Sequence, residues 1–72
     1  MPKDIKVNQV LSEPQVDGTR KQWVVTAVHS TDAGAVAVLN AYRKGEIKSE
    51  TNAVFAQRVI EEGWRSLGML QE

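Results

Sequence analysis

The chain has 72 residues and carries 9 basic and 9 acidic side chains, so its formal net charge is zero. A length like this holds one small domain, 1–72, and a composition of 42% hydrophobic and 25% charged residues excludes a disordered chain. The absence of cysteine excludes a disulfide framework, a thiol nucleophile and a cysteine-type zinc site, and no apolar run is long enough to span a bilayer.

In chain order the first half reads as extended. Asp17-Gly18 is the strongest turn signal, because both residues tolerate the positive φ that a two-residue type I′ turn requires. β-branched residues are dense in Trp23-Val24-Val25-Thr26-Ala27-Val28. A β-hairpin is therefore expected over about 4–16 and 19–29, with Val16 facing Thr19, Leu11 facing Val24, Val10 facing Val25 and Val7 facing Val28. That register places Ile5, Val7, Leu11, Val24 and Val28 on one face, and Val10, Val16, Trp23, Val25 and Ala27 on the other. Pro14 cannot donate to a ladder and marks an edge position or a bulge.

The second half reads as helical. Ser30-Thr31-Asp32 offers an N-cap and a favourable charge for a helix over about 31–44. Ala35, Val38, Leu39 and Tyr42 follow at i, i+3, i+4 and i+7, with Gly45 as the stop. A second helix is expected over about 50–68, because Ala53, Ala56, Val59, Ile60, Gly63, Trp64, Leu67 and Leu70 gather on one side. The stripe runs in phase through Gly63, so Gly68 is read as the terminator, and Val54 and Phe55 fall outside the stripe. The expected fold is α+β with the order β-β-α-α.

The order strand, helix, short loop, helix from Trp23 to Leu67, with Lys44-Gly45-Glu46-Ile47-Lys48-Ser49-Glu50-Thr51 before the last amphipathic segment, resembles ribbon-helix-helix repressors, including antitoxins of the ParD type. The resemblance implies a homodimer whose paired strands enter the major groove while the start of the second helix touches phosphate. Gln22 and Thr26 would then read bases, and Lys48 and Ser49 would lie at the helix start.

No constellation for chemistry stands out. His29 is the single histidine; with Ser30, Thr31 and Asp32 it supplies the residue types of a triad, but adjacency in sequence is not triad geometry. Strand-end placement and helix capping account for these four residues. Glu61 and Glu62 are expected on a solvated face. The five glycines form no phosphate loop. No catalytic residue, metal ligand or cofactor is expected.

Two function classes follow. A domain this small buries only about 60% of the surface its unfolded chain exposes, and two helices cannot cover both apolar faces of a two-stranded ribbon. The first reading is therefore a small non-catalytic protein-binding regulator or inhibitor, of the kind phages encode, acting by steric occlusion. Its partner-binding residues would be Trp23, Val25, Val10 and Phe55 as apolar anchors, with Arg20 and Lys21 adjusting orientation. The second is the dimeric DNA-binding regulator or antitoxin just described. The N-terminal residues lack the apolar core of a signal peptide, so a cytoplasmic protein with no membrane partner is expected.

Overall fold

The computed structural model describes residues 5–70. Among the described residues, the chain folds as one five-stranded antiparallel sheet with a single short helix. The elements are β1 (Gln9–Pro14), β2 (Arg20–Thr31), β3 (Gly34–Arg43), β4 (Glu46–Phe55), α1 (Ala56–Glu61) and β5 (Arg65–Met69). The strand order is β4-β3-β2-β1-β5. The first four strands form a meander, and β5 returns to pair with β1.

This overturns the β-β-α-α expectation. The stretch read as a first helix is β3, and the stretch read as a second helix is divided among β4, α1 and β5. In β3, Ala37, Leu39 and Ala41 point into the core while Val36, Val38, Asn40 and Tyr42 alternate with them. That is a period of two, carried on β-branched valines. The i, i+3, i+4, i+7 set of Ala35, Val38, Leu39 and Tyr42 shares only Leu39 with this buried face; it could be drawn because β3 carries apolar residues on both of its faces. Lys44-Gly45 is not a helix stop. Arg43 pairs with Glu46, and both intervening residues have positive φ, which makes a two-residue hairpin turn. The helical ribbon-helix-helix arrangement is absent for the same reason, since β3 and β4 stand where its two helices would be.

The hairpin exists, but in another register. Its strands pair Val10 with Val24, Leu11 with Trp23 and Pro14 with Arg20. The loop has three residues rather than two. The Gln15 N–H donates to the Thr19 carbonyl at 2.8 Å, the Gly18 N–H donates to the Gln15 carbonyl at 3.1 Å, and Gly18 has φ +88°. This is the type I turn followed by a left-handed glycine. One extra loop residue slips the register by one and exchanges the faces. Leu11 therefore shares its face with Trp23 and Val25, not with Val24. Pro14 closes β1 beyond the last pair with β5, where its missing N–H costs no ladder bond. The first strand begins only at Gln9: residues 5–8, expected as strand, precede it, with Val7 and Asn8 in a turn, while residue 4 lies outside the described residues.

The core contains Leu11, Trp23, Val25, Ala37, Leu39, Ala41, Val54, Val59 and Trp64, with Ile5 packed against it. Every strand from β1 to β4 contributes, and α1 and Trp64 cover the cluster. Register shifts at Thr26, near Ala41 and near Val10 interrupt three of the ladders. Such bulges bend strands and sharpen twist. A curved sheet with one helical turn thus shelters apolar surface that a flat ribbon would expose. Val10 and Val24 face each other across the β1–β2 ladder and are also buried. Among the described residues the buried polar side chains are satisfied: the Gln9 amide donates to Ser66 Oγ at 2.8 Å and Ser12 Oγ accepts from Arg20 Nε at 2.7 Å.

α1 ends in a Schellman motif. The Trp64 N–H donates to the Val59 carbonyl at 3.0 Å, and the Gly63 N–H donates to the Ile60 carbonyl at 3.2 Å, with Gly63 at φ +78°. Gly63, not Gly68, is therefore the terminator. Among the described residues, no helix is long and apolar enough to cross a membrane.

Candidate functional site

The residues named from sequence as partner contacts fall into separate environments. Trp23, Val25 and Val10 are 3, 0 and 7% exposed, so their apolar area is already used inside the subunit. The Trp23 indole N–H also donates to Glu13 Oε1 at 3.0 Å. Arg20 is pinned: besides Ser12 Oγ, its Nη2 donates to the Ser12 carbonyl at 2.9 Å and to the Gly63 carbonyl at 3.1 Å. Lys21 pairs with Glu50 at 2.6 Å and lies 4.8 Å from the centre of the Trp23 ring. Phe55 differs from these three apolar residues, with 41% of its surface exposed.

Phe55 is the last residue of β4 and the N-cap of α1. It pairs with Val36 on β3. A phenylalanine side chain offers no oxygen to the free N–H groups of the first helical turn, and no side-chain cap bond forms. The ring instead floors a groove between α1 and the turn joining β2 to β3. Ala33, Gly34 and Ala35 form one wall; Gln57, Arg58 and Glu61 form the other. Small residues on the turn leave the ring accessible, and Val28 and Ile60 are exposed as well. The polar rim is self-satisfied: Gln57 donates to Glu61 at 3.0 Å, and Arg58 pairs with Glu62. The groove thus has an aromatic floor and a polar rim whose side chains are hydrogen-bonded to one another, an apolar centre within a polar border of the kind protein interfaces use.

The residues named for DNA reading do not converge. Gln22 is exposed near the start of β2, whereas Thr26 is the bulged residue and donates to the Val38 carbonyl at 3.3 Å. Lys48 pairs with Glu46 at 2.7 Å and Ser49 is exposed on the edge strand β4. Gln22 lies instead with Arg20, Lys21, Arg43 and Lys44 in a second groove.

The triad-like residues also stay apart in role. His29 is exposed on β2 opposite Val36. The Thr31 hydroxyl donates to the Gly34 carbonyl at 2.8 Å and accepts from the Ala33 N–H at 3.2 Å, so it shapes the β2–β3 turn. Among the described residues, no group of three or more His, Cys, Asp or Glu side chains is placed to hold a metal.

Sequence reasoning singled out Phe55 because it lay off the helical stripe. It missed Ala33, Gly34, Ala35, Gln57 and Arg58, because the two walls come from segments assigned to separate helices. The alternation Ala37, Leu39, Ala41 was the signal that would have brought the β2–β3 turn and Phe55 to the same end of the sheet. No family model, curated protein or solved structure shows significant similarity to the chain.

Proposed function

We propose that the chain is a non-catalytic protein-binding module that covers a surface of its partner, with Phe55 as the anchor. One observation carries this reading: an exposed phenylalanine occupies a helix N-cap. The position costs the fold twice. A serine, threonine, asparagine or aspartate there would cap α1, an effect of typically about 1 kcal/mol, and would leave less apolar surface in water. Departures from local rules are expected at functional sites. A flat aromatic in a groove walled on one side by small residues accepts an apolar side chain of a partner, and buried aromatics supply much of the energy of such contacts. The mechanism is occlusion: a curved sheet of this size seated over a partner's surface blocks access to it.

Photo-crosslinking tests the reading. A benzophenone side chain at Gln57, on the groove rim, is expected to give a heteromeric adduct in lysate of the cells that express the protein. The adduct should vanish when Phe55→Ser is added and the double variant remains folded by circular dichroism. An adduct that persists with Phe55→Ser overturns the anchor. An adduct of twice the subunit mass overturns the partner reading and assigns the groove to a second copy of this chain.

A further inference from the structure

At the other end of β2 the sheet opens. The last pair between β2 and β3 is Trp23 with Ala41. Beyond it the strands separate, leaving a cleft between Arg20–Gln22 and Tyr42–Lys44, with Gln15 and Thr19 of the first hairpin loop at one margin. We propose that this cleft binds the sugar-phosphate backbone of single-stranded nucleic acid.

Its lining supports that chemistry. Arg20, Lys21, Arg43 and Lys44 supply four cations; Gln15, Gln22, Thr19 and Tyr42 supply neutral donors; no carboxylate among the described residues lines it. Four of the chain's 9 basic residues are gathered here although the net charge is zero. The charges are not all spent internally. Lys21 is paired with Glu50, but Arg20, Arg43 and Lys44 have no carboxylate partner within 4.0 Å among the described residues. Among the described residues Arg20 bonds only to neutral oxygens, which fix its guanidinium without neutralising it. Charge-assisted bonds from such groups to phosphate are among the stronger hydrogen bonds available to a surface site.

Backbone strain points to the same place. Lys44 has φ +52°, the left-handed region, at the first position of the β3–β4 turn. Asparagine or glycine adopts that conformation at lower cost, whereas other L-residues are disfavoured there by roughly 1–2 kcal/mol. A lysine held in that conformation places a cation at the cleft mouth where the turn itself favours another residue.

The shape selects a single strand. The site is a recess between diverging strands, not a helix or ribbon that could enter a major groove. Half-buried Tyr42 is its aromatic platform, and base stacking on an aromatic ring is the usual sequence-tolerant contact of single-strand binders. An acidic peptide would use the cations but not the ring. The cleft is independent of the Phe55 groove: the two lie at opposite ends of β2, whose 12 residues would reach about 40 Å if straight, comparable to the molecule's longest dimension of 35 Å.

The test is fluorescence anisotropy of a labelled oligothymidylate of about ten nucleotides, titrated with the full chain. Three unpaired cations predict a log–log salt slope near −2, so affinity should fall about 20-fold between roughly 50 and 200 mM salt. Arg43→Gln combined with Lys44→Asn should weaken binding by about tenfold or more and flatten that slope. Asparagine suits the turn, so the Lys44 change removes charge without loss of folding, and Lys44→Asn alone should raise the melting temperature while lowering affinity. No anisotropy change at low salt, salt-independent binding, or full affinity in the double variant overturns the proposal. Competition by a polyglutamate of equal length as effective as unlabelled oligonucleotide also overturns it, and assigns the cleft to acidic protein segments.

Discussion

The backbone N–H of Trp64 donates to the carbonyl of Val59 at 3.0 Å, and both side chains are buried in the same cluster. This contact ends α1 and turns the chain back toward β1. It depends on Gly63, whose φ of +78° is strained for any residue with a Cβ. A Cβ built there meets nothing within 4 Å, so backbone strain is the whole cost. Gly63→Ala should therefore destabilise by about 1 kcal/mol. For a domain of this size that lowers the melting temperature by about 4–8 °C, measurable by circular dichroism. An unchanged melting temperature would show that the turn carries no strain.

The limits of sequence reading follow from the same elements. The hairpin around Asp17-Gly18 was legible because turn chemistry is local, whereas its register was not. Whether Gly18 is the second loop residue or the third changes every face assignment, and only the cross-strand partners of Leu11 and Trp23 decide that. β3 has helical local chemistry because alanine, at 35, 37 and 41, is the best helix former, while its strand state is set by long-range pairing with β2 and β4. β5 lies more than 50 residues from β1, and no local signal announces that pairing. Phe55 was noticed as an anomaly, but its groove needs the β2–β3 turn beside it.

Trp23 gives the sharpest contrast between core and surface. It is buried against Leu11 and Val25 and bonded to Glu13. Trp23→Ala should cost about 3–5 kcal/mol, a large part of the stability of so small a domain. Trp23→Phe keeps most of the apolar volume and loses the bond to Glu13, so its cost should be clearly smaller. Urea unfolding of the two variants checks this. A Trp23→Ala protein as stable as Trp23→Phe would place the side chain outside the core.

Two exposed carboxylates should shape the acid limb of stability. A side-chain hydrogen bond from Arg58 holds the Glu62 carboxyl below its ordinary value of 4.5, and the Trp64 indole N–H acts in the same direction. Asp17 is held below 3.8, first by the Thr19 hydroxyl and then by the Thr19 backbone N–H. A carboxyl with a depressed folded pKa contributes stability in full above its unfolded value. That contribution is lost as pH falls through the folded value. Glu62→Gln should thus be less stable than wild type at neutral pH and should lose less stability on acidification below about 4.5, with Asp17→Asn doing the same below about 3.8. Melting temperatures recorded from neutral pH into strong acid check both; parallel curves for wild type and variants would remove these carboxylates as causes.

Phe55→Ser separates folding from binding in one substitution. The change deletes the cross-strand contact with Val36, a pair of the kind worth roughly 0.2–1 kcal/mol. It also supplies the missing side-chain oxygen to the first turn of α1, a gain of about 0.5–2 kcal/mol. The two effects oppose each other, so the variant should be about as stable as wild type, within ~1 kcal/mol by urea unfolding. A loss of more than ~3 kcal/mol, in the range of a true core truncation, would mean that the ring serves the fold. Phe55 would then have an internal reason to occupy the N-cap, and the inference that it is kept for a partner would fail with it. Retained stability together with lost crosslinking at Gln57 would leave the exposed ring with no role except contact with another molecule.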